Sequence, residues 1–264
     1  GEGEGNAGAR ASRRCFRVTL ALLIAFPSML IEQQPAYVLH ARPYRETSLL
    51  LEVLSRDHGR LGVVARGVRR ERSRLTRAQL EPFQALAMDA LMRGELATLR
   101  GVEPLAAPLR LAGEAGLAGL YLNELVVRLT GRQDPHPELY EAYALALRRL
   151  AEGEPLGWSL RRFERDLLEA VGYALQLEYE GESGEAVEPG RHYRYAVEQG
   201  PLPVSLPGEH SLRGEDLLAL AADRPPGAAG QAALRRMMRE VIRFHLGGAE
   251  LRAWRVLAAA LARR

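Results

Sequence analysis

The chain has 264 residues and a formal charge of +3, from 36 basic and 33 acidic side chains, and every basic residue is arginine. Without lysine there is no Gly-Lys phosphate loop, no Schiff-base lysine and no kinase strand lysine, so those chemistries are excluded. The single cysteine, Cys15, rules out intramolecular disulfides and cysteine-built zinc sites, and the six scattered histidines offer no ligand spacing for a metal.

A hydrophobic content of 47% with 26% charged residues is that of a globular protein with a substantial core. Residues 1–28 read as a separate N-terminal extension. Gly1 to Ala11 is rich in Gly, Glu and Ala, as disordered segments are, and Arg13, Arg14 and Arg17 then precede an apolar run from Val18 to Phe26. That run is shorter than the roughly 20 residues needed to span a bilayer, and no small-x-small cleavage pattern follows it.

Strand-like sequence occupies Pro35 to Glu103. Runs begin at Tyr37-Val38-Leu39 and continue at Thr47–Leu54, Leu61–Ala65, Phe83–Met92 and Leu96–Val102, with turn signals at Arg42-Pro43, Asp57-His58-Gly59 and Arg93-Gly94-Glu95. Five short strands in this space predict a small closed barrel of the OB type, spanning 29–107. The polar stretch Gly67–Leu80 is expected as a loop or short helix between the third and fourth strands.

From Pro108 the apolar period becomes 3.6, which predicts a helical domain over 108–264. The first helix carries Leu117, Leu120, Tyr121, Leu125 and Leu129 as its stripe, behind Gly113, Gly116 and Gly119. The second starts at Pro137 and the third runs from about Leu156 to Val171, closed by Gly172. Further helices are expected at Leu212–Ala222, Gln231–Leu246 and Ala249–Ala262. Between them lies an irregular insert, with two strands turning at Gln199-Gly200. The fold class is therefore α+β.

The net charge conceals its distribution. Residues 29–107 hold 12 arginines against nine acids, and from Arg56 to Arg77 eight arginines face only Asp57 and Glu71, a balance of +6. Residues 235–264 hold eight arginines against two acids, again +6, while 108–234 hold 12 against 20, or −8. A basic cluster on a barrel loop fits a phosphate backbone. The candidate DNA-binding residues are Arg42, Arg45, Arg56, Arg60, Arg66, Arg69, Arg70, Arg72, Arg74 and Arg77, with Tyr37 and Tyr44 as rings on which bases could stack. No G-x-S-x-G elbow or D-x-D pattern supports catalysis, so no catalytic residue, metal or cofactor is expected. Backbone electrostatics does not separate DNA from RNA, and an RNA-binding or translation-associated OB module is the alternative.

Specific strings carry a resemblance. Ala36–Leu51 (AYVLHARPYRETSLLL), Gly59–Arg69 (GRLGVVARGVR), Glu81-Pro82-Phe83, Gly119–Leu129 (GLYLNELVVRL), Leu160-Arg161-Arg162-Phe163-Glu164 and Tyr193-Arg194-Tyr195 resemble the RecO family of bacterial recombination mediators. The resemblance runs from Met29 to about Arg255. It implies an OB barrel, a helical domain and, in some members, a four-cysteine zinc module. Here the corresponding insert, about 176–207, has no cysteine, so a metal-free remnant held by Tyr193 and Tyr195 is expected.

The resemblance also implies binding to single- and double-stranded DNA, annealing of complementary strands, and loading of RecA with RecR onto strands coated with single-stranded DNA-binding protein (SSB). The expected location is the cytoplasm, at the nucleoid. Arg161 and Arg165, four apart on a helix with Arg162 beside them, are candidates for the acidic, hydrophobic-ended SSB tail. The competing reading is that these arginines only pair with Glu164, Asp166 or Glu169.

Overall fold

The computed structural model describes residues 28–70 and 75–261, so all of the expected extension except Ser28 lies outside the described residues. Five strands follow: β1 (Met29–Tyr44), β2 (Ser48–Ser55), β3 (Gly59–Ala65), β4 (Ala85–Arg93) and β5 (Leu96–Pro104). They close in the order β1-β2-β3-β5-β4, with β3 and β5 running parallel. This is an OB-type barrel, and a short 3-10 turn (Arg77–Leu80) falls between β3 and β4.

The first strand begins eight residues before the expected Tyr37, because β1 must pair with both β2 and β4 to close the barrel. Bulges between Ile31 and Gln34 and between Val38 and His40 bend it to do so. At the first bulge Gln33 takes a φ of 47° and donates its backbone N–H to Asp89 Oδ1 at 2.7 Å. The barrel is filled by Ile31, Val38, Leu51, Val53, Leu61, Val63, Leu86 and Met88, all nearly inaccessible.

The helices α1 (Gly113–Leu129) and α2 (Pro137–Ala151) pack on one outer face of the barrel, and α3 (Leu156–Ala170) packs on both of them. Pro137 opens α2 as expected. In α1 the buried face is Ala118, Tyr121, Leu122, Leu125 and Val126, whereas Leu120, expected in the stripe, is 49% exposed. Gly119 belongs to the buried face as well, against Phe83, whose ring lies 2.8 Å from where a Cβ would stand. Gly59, at φ +67°, permits the tight β2–β3 turn to touch the backbone of Asp134.

The remainder combines the insert with three helices: α4 (Gly214–Ala221), α5 (Ala228–His245) and α6 (Arg252–Leu261). The insert forms the expected hairpin of β6 (His192–Ala196) and β7 (Gly200–Pro203). A third strand, β8 (Ser211–Arg213), adds to β6 and takes the first residues that the sequence assigned to a helix. Tyr193 is fully buried: its hydroxyl donates to Glu180 at 3.2 Å and accepts from the Glu188 N–H at 2.9 Å. Glu180, itself 4% exposed, also receives Ser183 at 2.7 Å and Arg191 at 3.1 Å. Tyr195 accepts the Gln176 N–H. A hydrogen-bonded buried carboxylate thus ties the loops of the insert together. Among the described residues no three His, Cys, Asp or Glu side chains cluster as a metal site requires, and no helix is long and apolar enough to cross a membrane.

Candidate nucleic-acid interface

The strands β2 and β3 decide where the basic run goes. Eight extended residues carry the chain about 23 Å, so the two ends of β2 lie at opposite ends of the barrel. The Arg56–Arg77 run is therefore divided. Arg56 and Arg60 sit at the β2–β3 turn, facing the helical domain. Arg56 pairs with Asp57 at 3.1 Å, whose carboxyl is held below its ordinary range by the hydrogen bonds from Arg56 and Gln34. Arg60 pairs with Glu52 at 2.7 Å and donates to the Thr130 hydroxyl and carbonyl. Arg60 thus ties the barrel to the helical domain, while Arg56 is half-exposed and keeps Nη1 outside its pair with Asp57.

At the other end, the loop after β3 folds back onto the β1–β2 turn. The Arg69 N–H donates to the Thr47 carbonyl at 3.1 Å, and the Arg70 N–H to Gly67 at 3.0 Å. Val68 is buried in the barrel core and anchors the loop, turning Arg66, Arg69 and Arg70 outward. Across the turn stand Arg42 and Arg45, both exposed, with Arg45 in the left-handed region at φ 53° and its guanidinium 5.2 Å from the Tyr44 ring centroid. None of these five arginines forms an ion pair with a described residue. Arg77, on the 3-10 turn, lies 3.8 Å from Glu81 and is largely solvated. Arg72 and Arg74 lie outside the described residues.

The two tyrosines part company. Tyr44 is half-buried beside the arginines, with the Arg45 guanidinium over its ring. Tyr37 is 6% exposed and packs between Tyr140 and Tyr143, with ring centroids at 5.3 and 5.1 Å. Its ring is part of the barrel–helix interface. Sequence reasoning passed over Arg100. It follows Thr98, which pairs with Val64 in the parallel register, by the same two residues as Arg66 does, and it is exposed at this end of β5.

The second predicted site is also rearranged. Arg161 is 6% exposed and binds Glu164 through two hydrogen bonds, Nε to Oε2 at 2.6 Å, while Tyr121 donates to the same carboxylate. Burial, then the Glu164 charge, push the Tyr121 hydroxyl well above its ordinary pKa. Arg162 pairs with Asp223 and Glu154, and Arg165 with Asp166 and Asp223. The three arginines therefore do not present a common fork. Arg161 instead floors a cleft of about 450 Å³ whose apolar wall is Leu156, Leu160, Trp254 and Leu257. Arg235, Arg236 and Arg239, from the C-terminal basic cluster, also line it, together with Glu114, and none of the three arginines forms an ion pair with a described residue. That cluster was visible as a count, but only the fold joins it to Leu160.

A family model for the N-terminal domain of recombination protein O matches residues 29–108, and one for its C-terminal domain matches 110–255. The chain belongs to the RecO family. It is 50% identical over 233 residues to the DNA repair protein RecO of Stenotrophomonas maltophilia strain R551-3, covering 87% of this chain and 97% of that protein. It is 49% identical to the RecO of strain K279a, covering 89% and 100%. The RecO of Xanthomonas oryzae pv. oryzae strain PXO99A is 46% identical, covering 87% and 97%. DNA repair and recombination is accordingly the setting of this RecO-family chain. Within it, the motif Tyr121-x-Asn123-Glu124-Leu125 is structural: Tyr121 holds Glu164, Asn123 bonds the barrel, and Glu124 accepts the first N–H groups of α6.

Proposed function

We propose that this chain is a recombination mediator that grips the DNA backbone at the β1–β2 end of its barrel, through Arg42, Arg45, Arg66, Arg69 and Arg70, with Tyr44 stacking on a base. The observation that carries this is the hydrogen bond from Arg69 to Thr47, which brings two separately basic loops to one end. Contacts to phosphates carry no sequence information, so single and double strands both fit. Strands coated with arginine repel each other less while their base edges stay free to pair, which is the physical requirement for annealing. No bond is made or broken, and no catalytic residue, metal or cofactor enters.

The cleft below α5 suits a peptide with an apolar end and acidic residues, as expected of the SSB tail. The apolar end rests on Leu160 and Trp254, and its charges meet Arg235, Arg236 and Arg239 rather than the neutralised Arg161. In this reading the chain works at the nucleoid, in the cytoplasm, and with RecR hands SSB-coated strands to RecA. The test is annealing of SSB-coated complementary strands, with and without chelator, with matched RNA strands as competitors. Chelator-insensitive acceleration is expected. No acceleration, or preferential capture of the RNA, overturns the reading.

A further inference from the structure

The C-terminal arginines extend beyond the cleft. Arg235, Arg239 and Arg243 stand at i, i+4 and i+8 on α5, within a sector of about 80° and about 6 Å apart per step. All three are exposed, and none forms an ion pair with a described residue. The nearest acid on the helix, Glu240, stands three residues before Arg243 and so neighbours the end of the row, where its carboxylate lies 3.1 Å from the His210 ring. Arg239 is held in place over the Trp254 ring, 4.8 Å from its centroid. The row ends beside Phe244, which is 51% exposed, and near Tyr173, 47% exposed and stacked on His245 at 4.0 Å. Arg243 donates its Nε to the Gly248 carbonyl at 3.4 Å, and exposed cations at the step of an extended strand with half-exposed aromatic rings nearby are the elements of a single-strand platform.

We propose that α5 is a second nucleic-acid track, on which Arg235, Arg239 and Arg243 hold the backbone of a second single strand. The inference rests on the barrel binding the first strand, and it supplies what annealing by one molecule needs, two strands held at once. An acidic peptide accounts less well for the row: Arg243 lies outside the cleft that would receive its apolar end. Because Arg235 and Arg239 border that cleft, peptide and second strand compete for them.

The test is a two-colour titration of the full-length chain with two non-complementary labelled strands, monitoring energy transfer between them. The wild type is expected to hold both. Replacing all three residues (R235Q/R239Q/R243Q) removes three phosphate contacts, so the salt slope of the second event falls by about 2, a loss of about a hundred-fold in affinity near 0.1 M salt, with the first event unchanged. R243E, outside the cleft, weakens the second strand while leaving an acidic, apolar-ended peptide bound. Unchanged circular dichroism and melting exclude misfolding. Two strands retained by the triple variant, or a single strand bound by the wild type, overturns the track and leaves the barrel site standing. If R69E/R70E also binds its first strand as the wild type does, the barrel reading fails instead.

Discussion

Tyr143 donates its buried hydroxyl to Asn123 Oδ1 at 2.6 Å, and Asn123 passes its own amide to the Leu39 carbonyl at 2.9 Å. One side chain of α1 thereby fixes α2 on one side and β1 on the other. Replacing it strands two buried polar groups. Asn123→Ala is expected to cost about 1–3 kcal/mol of unfolding free energy, read by urea denaturation. Asn123→Leu should fare no better, since it fills the volume but leaves both partners unpaired. Near-wild-type stability of both variants would show that the bridge between barrel and helices lies elsewhere.

Tyr37 and Tyr44 make opposite predictions from the same residue type. Tyr44→Ala removes the ring beside Arg45 and is expected to weaken single-strand affinity by about 1–3 kcal/mol, with little change in stability. Tyr37→Leu is expected to lower the melting temperature through loss of the contacts with Tyr140 and Tyr143, and to leave DNA affinity alone. Fluorescence anisotropy with a labelled oligonucleotide, beside thermal denaturation, separates them. The opposite pattern would restore Tyr37 as the stacking ring.

That contrast marks what sequence reasoning reaches. Five strands and their order along the chain follow from alternation and turns, and the helices from the 3.6 period. The burial of Tyr37 was not legible because Ala36, Tyr37, Val38 and Leu39 are all buried: one side of β1 faces the barrel interior and the other the helices, so no polar alternation separates the two sides. The Arg56–Arg77 run reads as one patch along the chain, yet β3 carries Arg66, Arg69 and Arg70 to the barrel end opposite Arg56 and Arg60. Pairing of Arg161 with Glu164 at i+3 was foreseeable, whereas Arg235 and Leu160 line one cleft from 75 positions apart, which no local pattern records.

The divided run makes a salt-dependence prediction. Five unpaired arginines at the β1–β2 end give a log–log slope near −3.5 for a single strand. Arg69→Ala with Arg70→Ala should flatten it by about 1.4, and Arg42→Ala with Arg45→Ala by the same amount. Arg56→Ala should leave the slope unchanged, because its guanidinium already serves Asp57. Affinity titrations at four salt concentrations decide this. Equal losses from both ends of the barrel would sink the assignment of one binding end.

The cleft floor gives a stability prediction that guards against a misleading experiment. Arg161→Ala leaves the Glu164 carboxylate buried without its cation, and breaking a buried pair on one side costs about 3–5 kcal/mol. Loss of peptide binding in that variant would therefore report unfolding. Arg161→Met with Glu164→Leu removes both charges and is expected to recover most of the stability. Arg236→Ala, exposed on the rim, should weaken an acidic peptide while leaving the urea midpoint unmoved. A stable Arg161→Ala protein would contradict the paired floor.

His245 supplies the pH dependence. Burial, only partly opposed by the Glu198 charge, lowers its pKa below the ordinary 6.5. The folded state then binds fewer protons than the unfolded chain wherever pH lies between the folded value and 6.5, so stability rises with pH across that window. The stabilisation is complete above 6.5 and is lost as pH falls through the lowered folded value. Asp223 acts in the same direction but further into acid: burial opposes its ionisation, and the hydrogen bonds and charges of Arg162 and Arg165 outweigh it. Urea midpoints are thus expected to fall between about pH 8 and about pH 5, near the range where histidine titrates. His245→Phe keeps a ring against Tyr173 and should remove the part of that fall nearest neutrality, leaving the acid limb to Asp223. An identical pH profile in wild type and His245→Phe would assign the neutral limb to another group.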